Sequence, residues 1–167
     1  MRTTYKIVPD QKKLIELIGA IRWNTSNRAK IIFTNGCFDI FHAGHIQCLE
    51  HAKSKGGILV VAINSDESVK RLKGDKRPIL QQEQRLRMVA ALQCVDYVVL
   101  FDEDTPYSLI MLLKPDVLVK GGDWDIQNII GVDIVKSHGG EVVQVNHEIE
   151  TSSAKIIQTI TERYKES

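Results

Sequence analysis

Ile58 to Ile63 is a run of six apolar residues with no polar interruption, and it constrains the fold more than any other stretch of the chain. A strand exposed on one face alternates apolar with polar residues. A short run without alternation suits a parallel strand covered on both faces. Parallel neighbours need crossover connections, usually helices, so helical patterns should flank the run. Upstream, Leu14, Ile15, Leu17, Ile18 and Ile21 recur at helical spacing behind Asp10, a capping residue, and predict a helix over 10–23 that ends in Asn24-Thr25-Ser26-Asn27. A strand over 30–34 and a helix over 43–55 follow, and Gly56-Gly57 separates that helix from the apolar run.

Downstream, a polar segment from Asn64 to Pro78 leads to a predicted helix over 81–92 and a strand over 97–101. Thr105-Pro106 opens another helix, with Thr as cap and Pro at its first position, and Lys114-Pro115 closes it. Strands over 117–119 and 141–145 flank a helix over 132–137, and a last helix runs from about 151 to 164. Residues 1–9 read as an irregular lead. The alternation predicts an α/β chain, a single-domain Rossmann-like doubly wound fold with a mainly parallel five-stranded sheet. Its N-terminal helix spans about 10–23 and its core about 30–160. Ligands of such sheets bind beyond the carboxyl ends of the strands, where strand order reverses. The stretches 35–45, 64–77, 120–124 and 146–153 all follow predicted strands, so they are expected on one edge.

Charge then narrows the function classes. Lys plus Arg is 22 and Asp plus Glu is 21, a formal net charge of +1, which argues against nucleic acid as a partner and makes any anion site local. The three cysteines, Cys37, Cys48 and Cys94, form no CxxC pair and suit a reducing compartment. The N-terminus shows no apolar leader and no run is long enough to span a bilayer, so a cytoplasmic protein without membrane contact is expected.

The local anion site is placed by Ile31 to Glu50. Ile31-Ile32-Phe33 gives way to Thr34-Asn35-Gly36-Cys37-Phe38-Asp39 and then to His42-Ala43-Gly44-His45 at a helix start. A strand, glycine turn and helix N-terminus bring unpaired N–H groups and the positive end of the helix dipole into one concavity, which favours phosphate. Two imidazoles three residues apart share one side of the first turn. Zinc is the rival ligand, but no HExxH pattern or cysteine set accompanies the pair. Walker A, GxGxxG and GxSxG patterns are missing from the sequence. Nucleotidyl transfer needs positioning and charge neutralisation more than covalent help, and imidazoles, lysines and backbone amides supply both. Lys70, Arg71, Lys73, Lys76 and Arg77 form a basic cluster that reads equally as a solvated loop or as part of such a site.

Gly36-Cys37-Phe38-Asp39 followed by His42-Ala43-Gly44-His45 resembles the signature of the cytidylyltransferase-like nucleotidyltransferases, in which an HxGH motif follows the first strand. Glu83-Gln84-Arg85, Lys120-Gly121-Gly122-Asp123-Trp124 and Thr151-Ser152-Ser153 resemble further blocks of that family in the same order. A narrower resemblance, over about residues 10–160, is to the branch that adenylylates a heptose 1-phosphate; FTNGCFDIFHAGH, VAINSDESVKRLKGDKRP, FDEDTP and PDVLVKGGD carry it. It implies ATP and a sugar 1-phosphate as substrates, and Mg²⁺ as a cofactor bound mainly through the triphosphate.

The resemblance also implies roles. His42, His45 and Lys73 would be catalytic, the histidines neutralising charge on the α-phosphate and the leaving pyrophosphate and Lys73 reaching the α-phosphate or the acceptor phosphate. Asn35, Gly36, Cys37, Phe38, Asp39, Gly44, Gly121, Asp123, Trp124, Thr151, Ser152 and Ser153 would bind the nucleotide. Within that set Phe38 would donate its backbone N–H, and Asp39 would order the turn or assist the metal shell. Lys76, Arg77 and Arg85 would meet the acceptor phosphate, with Lys76 or Arg77 able to take the place of Lys73. For Trp124 packing, for Arg85 a loop contact or ion pair, and for Ser152 and Ser153 an ordinary helix cap are the competing readings. Glu150 and Ala154 depart from the family's last block, which carries one more hydroxyl and no carboxylate, and His147 stands where relatives place a basic residue. A homodimer, and a kinase on a separate chain that makes the sugar 1-phosphate, complete the expectation. Cytidylyl transfer to glycerol 3-phosphate or another small phosphate and a non-catalytic nucleotide-binding module are the alternatives; intact His42, Gly44, His45 and Lys73 argue against the second.

Overall fold

Five strands, β1 (Ile31–Gly36), β2 (Ile58–Asn64), β3 (Tyr97–Phe101), β4 (Val117–Gly121) and β5 (Glu141–Val145), pair in the order β3-β2-β1-β4-β5, and every pairing is parallel. The computed structural model describes residues 3–122, 125–146 and 151–165. Seven α-helices lie among them: α1 (Gln11–Asn24), α2 (Ala43–Ser54), α3 (Asp66–Lys73), α4 (Gln82–Ala90), α5 (Tyr107–Leu113), α6 (Val132–Ser137) and α7 (Ser153–Arg163).

The apolar run becomes β2, flanked by β1 and β3, and its side chains divide between two cores by strict period two. Val60 and Ala62 join Ile31, Phe33, Val99 and Leu118 against α1, α5 and α6. Leu59, Val61 and Ile63 join Ile32, Val98, Val117 and Val119 against α2 and α4. Both faces are therefore dry, which is why the strand shows no alternation. Each such Val, Leu or Ile contributes roughly 1.5–3 kcal/mol of burial free energy. Gly57 lets β2 start beside β1, because a Cβ there would stand 2.4 Å from the Lys30 carbonyl oxygen. That carbonyl accepts the Ile58 N–H at 2.9 Å.

Element types agree with the sequence reading, with three differences. The segment from Asn64 to Pro78, read as a polar loop, contains α3. Only Ser68 and Val69 of that helix are buried, so it has no apolar stripe to betray it. Its marks are polar: Ser65 caps it by accepting from the Ser68 N–H, Asp66 and Glu67 occupy the first turn, and Lys70, Arg71 and Lys73 the last. Residues 1–9 are not merely irregular, since Thr3–Lys6 form a 3-10 turn, Ile7 bridges Val98, and the Val8 N–H donates to the Val98 carbonyl at 2.8 Å. This contact shields the outer edge of β3. A second 3-10 turn, Ile126–Asn128, was also not foreseen.

Strand order sets the site. From β1 the chain moves outward through β2 to β3, then crosses back to β4 on the other side of β1. The reversal lies between β1 and β4, so the crevice above their carboxyl ends is where a ligand is expected.

Candidate active site

An open cleft of about 610 Å³ lies above that reversal, within the range usual for small-molecule sites. Its lining comes from Thr34 to Phe38 at the end of β1, His42 and His45 on α2, Lys73 and Arg77, Lys120 and Gly121 at the end of β4, and Thr151 to Ala154 at the start of α7. The post-strand stretches of the sequence thus meet at one edge of the sheet.

His42 is the N-cap of α2, and its carbonyl accepts the His45 N–H at 2.9 Å. The imidazoles of His42 and His45 stack with ring centroids 3.7 Å apart and planes 19° apart. Gly44 between them is buried, so the helix start has no side chain competing for that space. Phe41 stacks on His45 at 5.3 Å and Phe38 lies 5.1 Å from it, which walls the pair with aromatic surface. Phe38 has φ 48, a left-handed backbone that is unfavourable for a bulky side chain and occurs where structure around it over-determines it. Gly36 accommodates this turn: a Cβ there would stand 3.2 Å from the Phe38 ring.

The turn is braced from below by two buried charges. Asp39 is 1% exposed and accepts hydrogen bonds from the Ile79 and Leu80 N–H groups at 2.8 Å and from Arg77 Nε at 2.5 Å. Burial alone would raise its pKa. The Leu80 and Ile79 N–H groups and the Arg77 guanidinium outweigh that and hold the carboxyl below its ordinary value. Arg85 is 0% exposed and donates to the Leu80 carbonyl at 3.0 Å, the Cys37 carbonyl at 2.5 Å and Asp66 Oδ1 at 2.8 Å.

For two residues the structure favours one of the readings the sequence left open: Arg85 makes loop contacts and an ion pair, and Asp39 orders the turn. Arg85, expected at the acceptor phosphate, is enclosed and lies outside the cleft lining, because three protein acceptors occupy its guanidinium. Asp39, expected to order the turn or assist a metal shell, spends both carboxylate oxygens on Arg77, Ile79 and Leu80 and has no face left for a metal. Asp39 titration also has a direction. A carboxyl whose folded pKa lies below its unfolded value of about 3.9 stabilises the fold above that value, and the contribution is lost as pH falls through the folded pKa. Asp39→Asn should therefore flatten the acid limb of stability relative to the wild type, read by urea denaturation at pH 7 and at steps below pH 4. An unchanged difference between the two ends would show that Asp39 does not carry it.

The basic cluster separates by partner. Lys70 pairs with Glu67, and Arg71 with Asp104 and Asp102. Arg77 lines the cleft while its Nε is held by Asp39, and its buried Nη2 has no hydrogen-bond partner among the described residues. Lys73 lines the cleft and makes no salt bridge among the described residues, whereas Lys76 is exposed and lies outside the lining. At the far wall Ser152 caps α7 by accepting the Lys155 N–H at 3.1 Å, and Ser153 Oγ donates to the Ile40 carbonyl at 3.3 Å, tying α7 to the loop before α2. Thr151 lines the cleft beside them. Asp123, Trp124, His147 and Glu150 lie outside the described residues.

Lys120 also lines the cleft, a residue that the sequence pattern does not mark out. Its Nζ donates to Asn35 Oδ1 at 3.1 Å and to the Asn35 carbonyl at 3.3 Å. Cys37 Sγ lies 3.9 Å from Asn64 Oδ1, which brings the end of β2 to the same rim. The one signal that could have found Lys120 is a lysine closing an otherwise apolar strand. Among the described residues no cluster of three or more His, Cys, Asp or Glu side chains is arranged to hold a metal ion, and no helix is long and apolar enough to cross a membrane.

Known proteins resemble this chain as follows. The sequence model of a family described as cytidylyltransferase-like matches residues 33–165. The chain is 50% identical over 155 residues to the bifunctional protein HldE of Geobacter metallireducens, covering 93% of this chain and 32% of that protein. It is 47% identical over 155 residues to HldE of Geobacter sulfurreducens, again covering 93% and 32%. The chain therefore spans about a third of the length of these curated relatives. A lipopolysaccharide core biosynthesis protein of Thermoplasma volcanium superposes with a TM-score of 0.57 at 28% identity, over 73% of this chain and 98% of that one. Pantothenate synthetase of Thermus thermophilus gives a TM-score of 0.64 at 16% identity, over 96% and 70%, a likeness of fold alone.

Proposed function

Since the chain belongs to the cytidylyltransferase-like family of nucleotidyltransferases, we propose that it transfers an adenylyl group from Mg-ATP to D-glycero-β-D-manno-heptose 1-phosphate. The products are ADP-heptose and pyrophosphate. An oxygen of the sugar phosphate attacks the α-phosphorus, one P–O bond forms, and the bond to the bridging oxygen of the pyrophosphate breaks. The attacking group is already an anion, so no proton has to be removed and no protein nucleophile is required. The barrier the protein must lower is repulsion between two anions, through charge placed where the transition state develops it.

The observation that carries this reading is the stacked His42–His45 pair at the start of α2, in a cleft also lined by Lys73, Arg77 and the start of α7. In the proposed arrangement His42 and His45 hold the α-phosphate and the leaving pyrophosphate, with the Phe38 N–H on the same phosphates. Lys73 and the Nη2 of Arg77 meet the acceptor phosphate, and Asp39 acts by holding Arg77 in place. Asn35, Gly36, Cys37 and Gly121 form the proposed nucleotide floor, with Gly44 buried in α2 between the two histidines, and Thr151, Ser152 and Ser153 face the outer phosphates. Asp123 and Trp124 belong to the proposed base and ribose contacts. Mg²⁺ enters as part of the nucleotide substrate, since Asp39 does not fit a resident metal.

The choice of heptose and adenine rests on the phrases at residues 33–45, 61–78, 101–106 and 115–123, and the likeness to a lipopolysaccharide core biosynthesis protein agrees with a surface-glycan precursor. The relatives are named bifunctional. We include in the proposal one nucleotidyltransferase unit over residues 1–167, a homodimer in the cytoplasm, and a kinase on a separate chain that makes the sugar 1-phosphate. Pyrophosphate release measured with each nucleoside triphosphate against heptose 1-phosphate and glycerol 3-phosphate tests the reaction. Release with ATP and heptose 1-phosphate is the expected result. Release only with CTP would transfer the assignment to a cytidylyltransferase, and none with any pair would leave a nucleotide-binding module.

A further inference from the structure

Lys120 stands at the end of β4 and Asn35 near the end of β1, the two strands between which sheet order reverses. Their hydrogen bonds, from Lys120 Nζ to the Asn35 carbonyl and side-chain oxygens, span that crevice at the floor of the cleft. The ammonium has three N–H groups, and Asn35 supplies only neutral acceptors. No carboxylate among the described residues forms an ion pair with it. Among the described residues, the ionisable groups acting on it are the thiols of Cys37 and Cys48 and the ammonium of Lys73. Enclosure pushes its pKa down, the thiols oppose that, and Lys73 adds to it. A half-buried ammonium that meets only neutral acceptors among the described residues is better satisfied when an anion arrives to meet it.

We propose that Lys120 is a direct contact to a phosphate oxygen of the bound substrates, with Asn35 as the residue that aims it. The inference rests on the nucleotidyl-transfer reading above and adds a binding group to it. The phosphate belongs either to the nucleotide or to the acceptor, and both present the same chemistry to an ammonium. Neither requires proton transfer or bond exchange at Lys120; its role is charge-assisted hydrogen bonding in a low-dielectric floor.

The test uses the full chain with Lys120→Met and Lys120→Arg. Calorimetric titration with Mg-ATP and with pyrophosphate, without acceptor, reads the nucleotide arm. The KM for heptose 1-phosphate reads the acceptor arm. Loss of one charge-assisted hydrogen bond should weaken one of these constants by about ten- to a hundredfold in the Met variant. Lys120→Arg should retain most of the affinity, and the Met variant should melt no lower than the wild type because an unpaired charge has been removed. Weaker ATP binding assigns the contact to the nucleotide, and a raised acceptor KM with unchanged ATP binding assigns it to the acceptor. Constants within twofold of wild type in the Met variant overturn the proposal. So does a Met variant that melts well below wild type and is not rescued by Arg, which would mark Lys120 as a packing residue. If the wild type turns over no acceptor, the reaction proposed above fails on its own, and the two titrations still decide whether Lys120 holds phosphate.

Discussion

Replacing His45 by alanine is expected to lower turnover by about 10²–10³-fold, the usual effect of removing one preorganised donor from a transition-state charge site. The fold should survive. His45 is only half-buried, and its removal leaves both strand cores intact. The measurements are pyrophosphate release under saturating substrates and a thermal melt of the same sample. His42→Ala should behave alike. Because the two rings stack at 3.7 Å, the double variant should lose less than the product of the single losses. Near-normal rates in His45→Ala would remove the paired-histidine mechanism, whereas a collapsed melt would make the position structural.

Arg85→Ala should act through stability. The guanidinium is 0% exposed and its three bonds join Cys37 in the turn after β1, Leu80 before α4 and Asp66 at the start of α3. Truncation leaves two carbonyls and a carboxylate without these donors and opens a cavity beneath the turn. The expected loss is about 3–5 kcal/mol, as for breaking one side of a buried ion pair. Equilibrium denaturation measures it. Lys at this position should recover only part, since one ammonium lacks the planar fork that reaches three acceptors. If Arg85→Ala instead kept wild-type stability and raised only the acceptor KM, the enclosed-brace description would be wrong and a phosphate contact would replace it.

These two residues show where sequence reasoning suffices and where it does not. The stacked pair was legible because the chain places His42 and His45 three residues apart at a helix start behind a glycine turn, so local geometry alone puts both rings on one side. Arg85 was not, because its acceptors lie up to 48 residues away and a surface arginine on α4 would look the same in sequence. The missed α3 has a related cause. Its helical signals are a cap and charge order rather than an apolar stripe, and those are weaker than the polarity that suggested a loop.

By itself the sequence determined the period of each segment, and from that the two-faced burial of β2, the crossover helices and the paired histidines at the start of α2. Hydrophobic periodicity and caps are local, so they survive without knowledge of neighbours. Only the tertiary structure decided how the charges are shared: Asp39 to Arg77 across 38 residues, Arg85 to the underside of the turn, and Lys120 to Asn35 across 85. The physical reason is range. Hydrogen bonds and ion pairs act over a few ångströms, and parallel strand order brings those partners within that range.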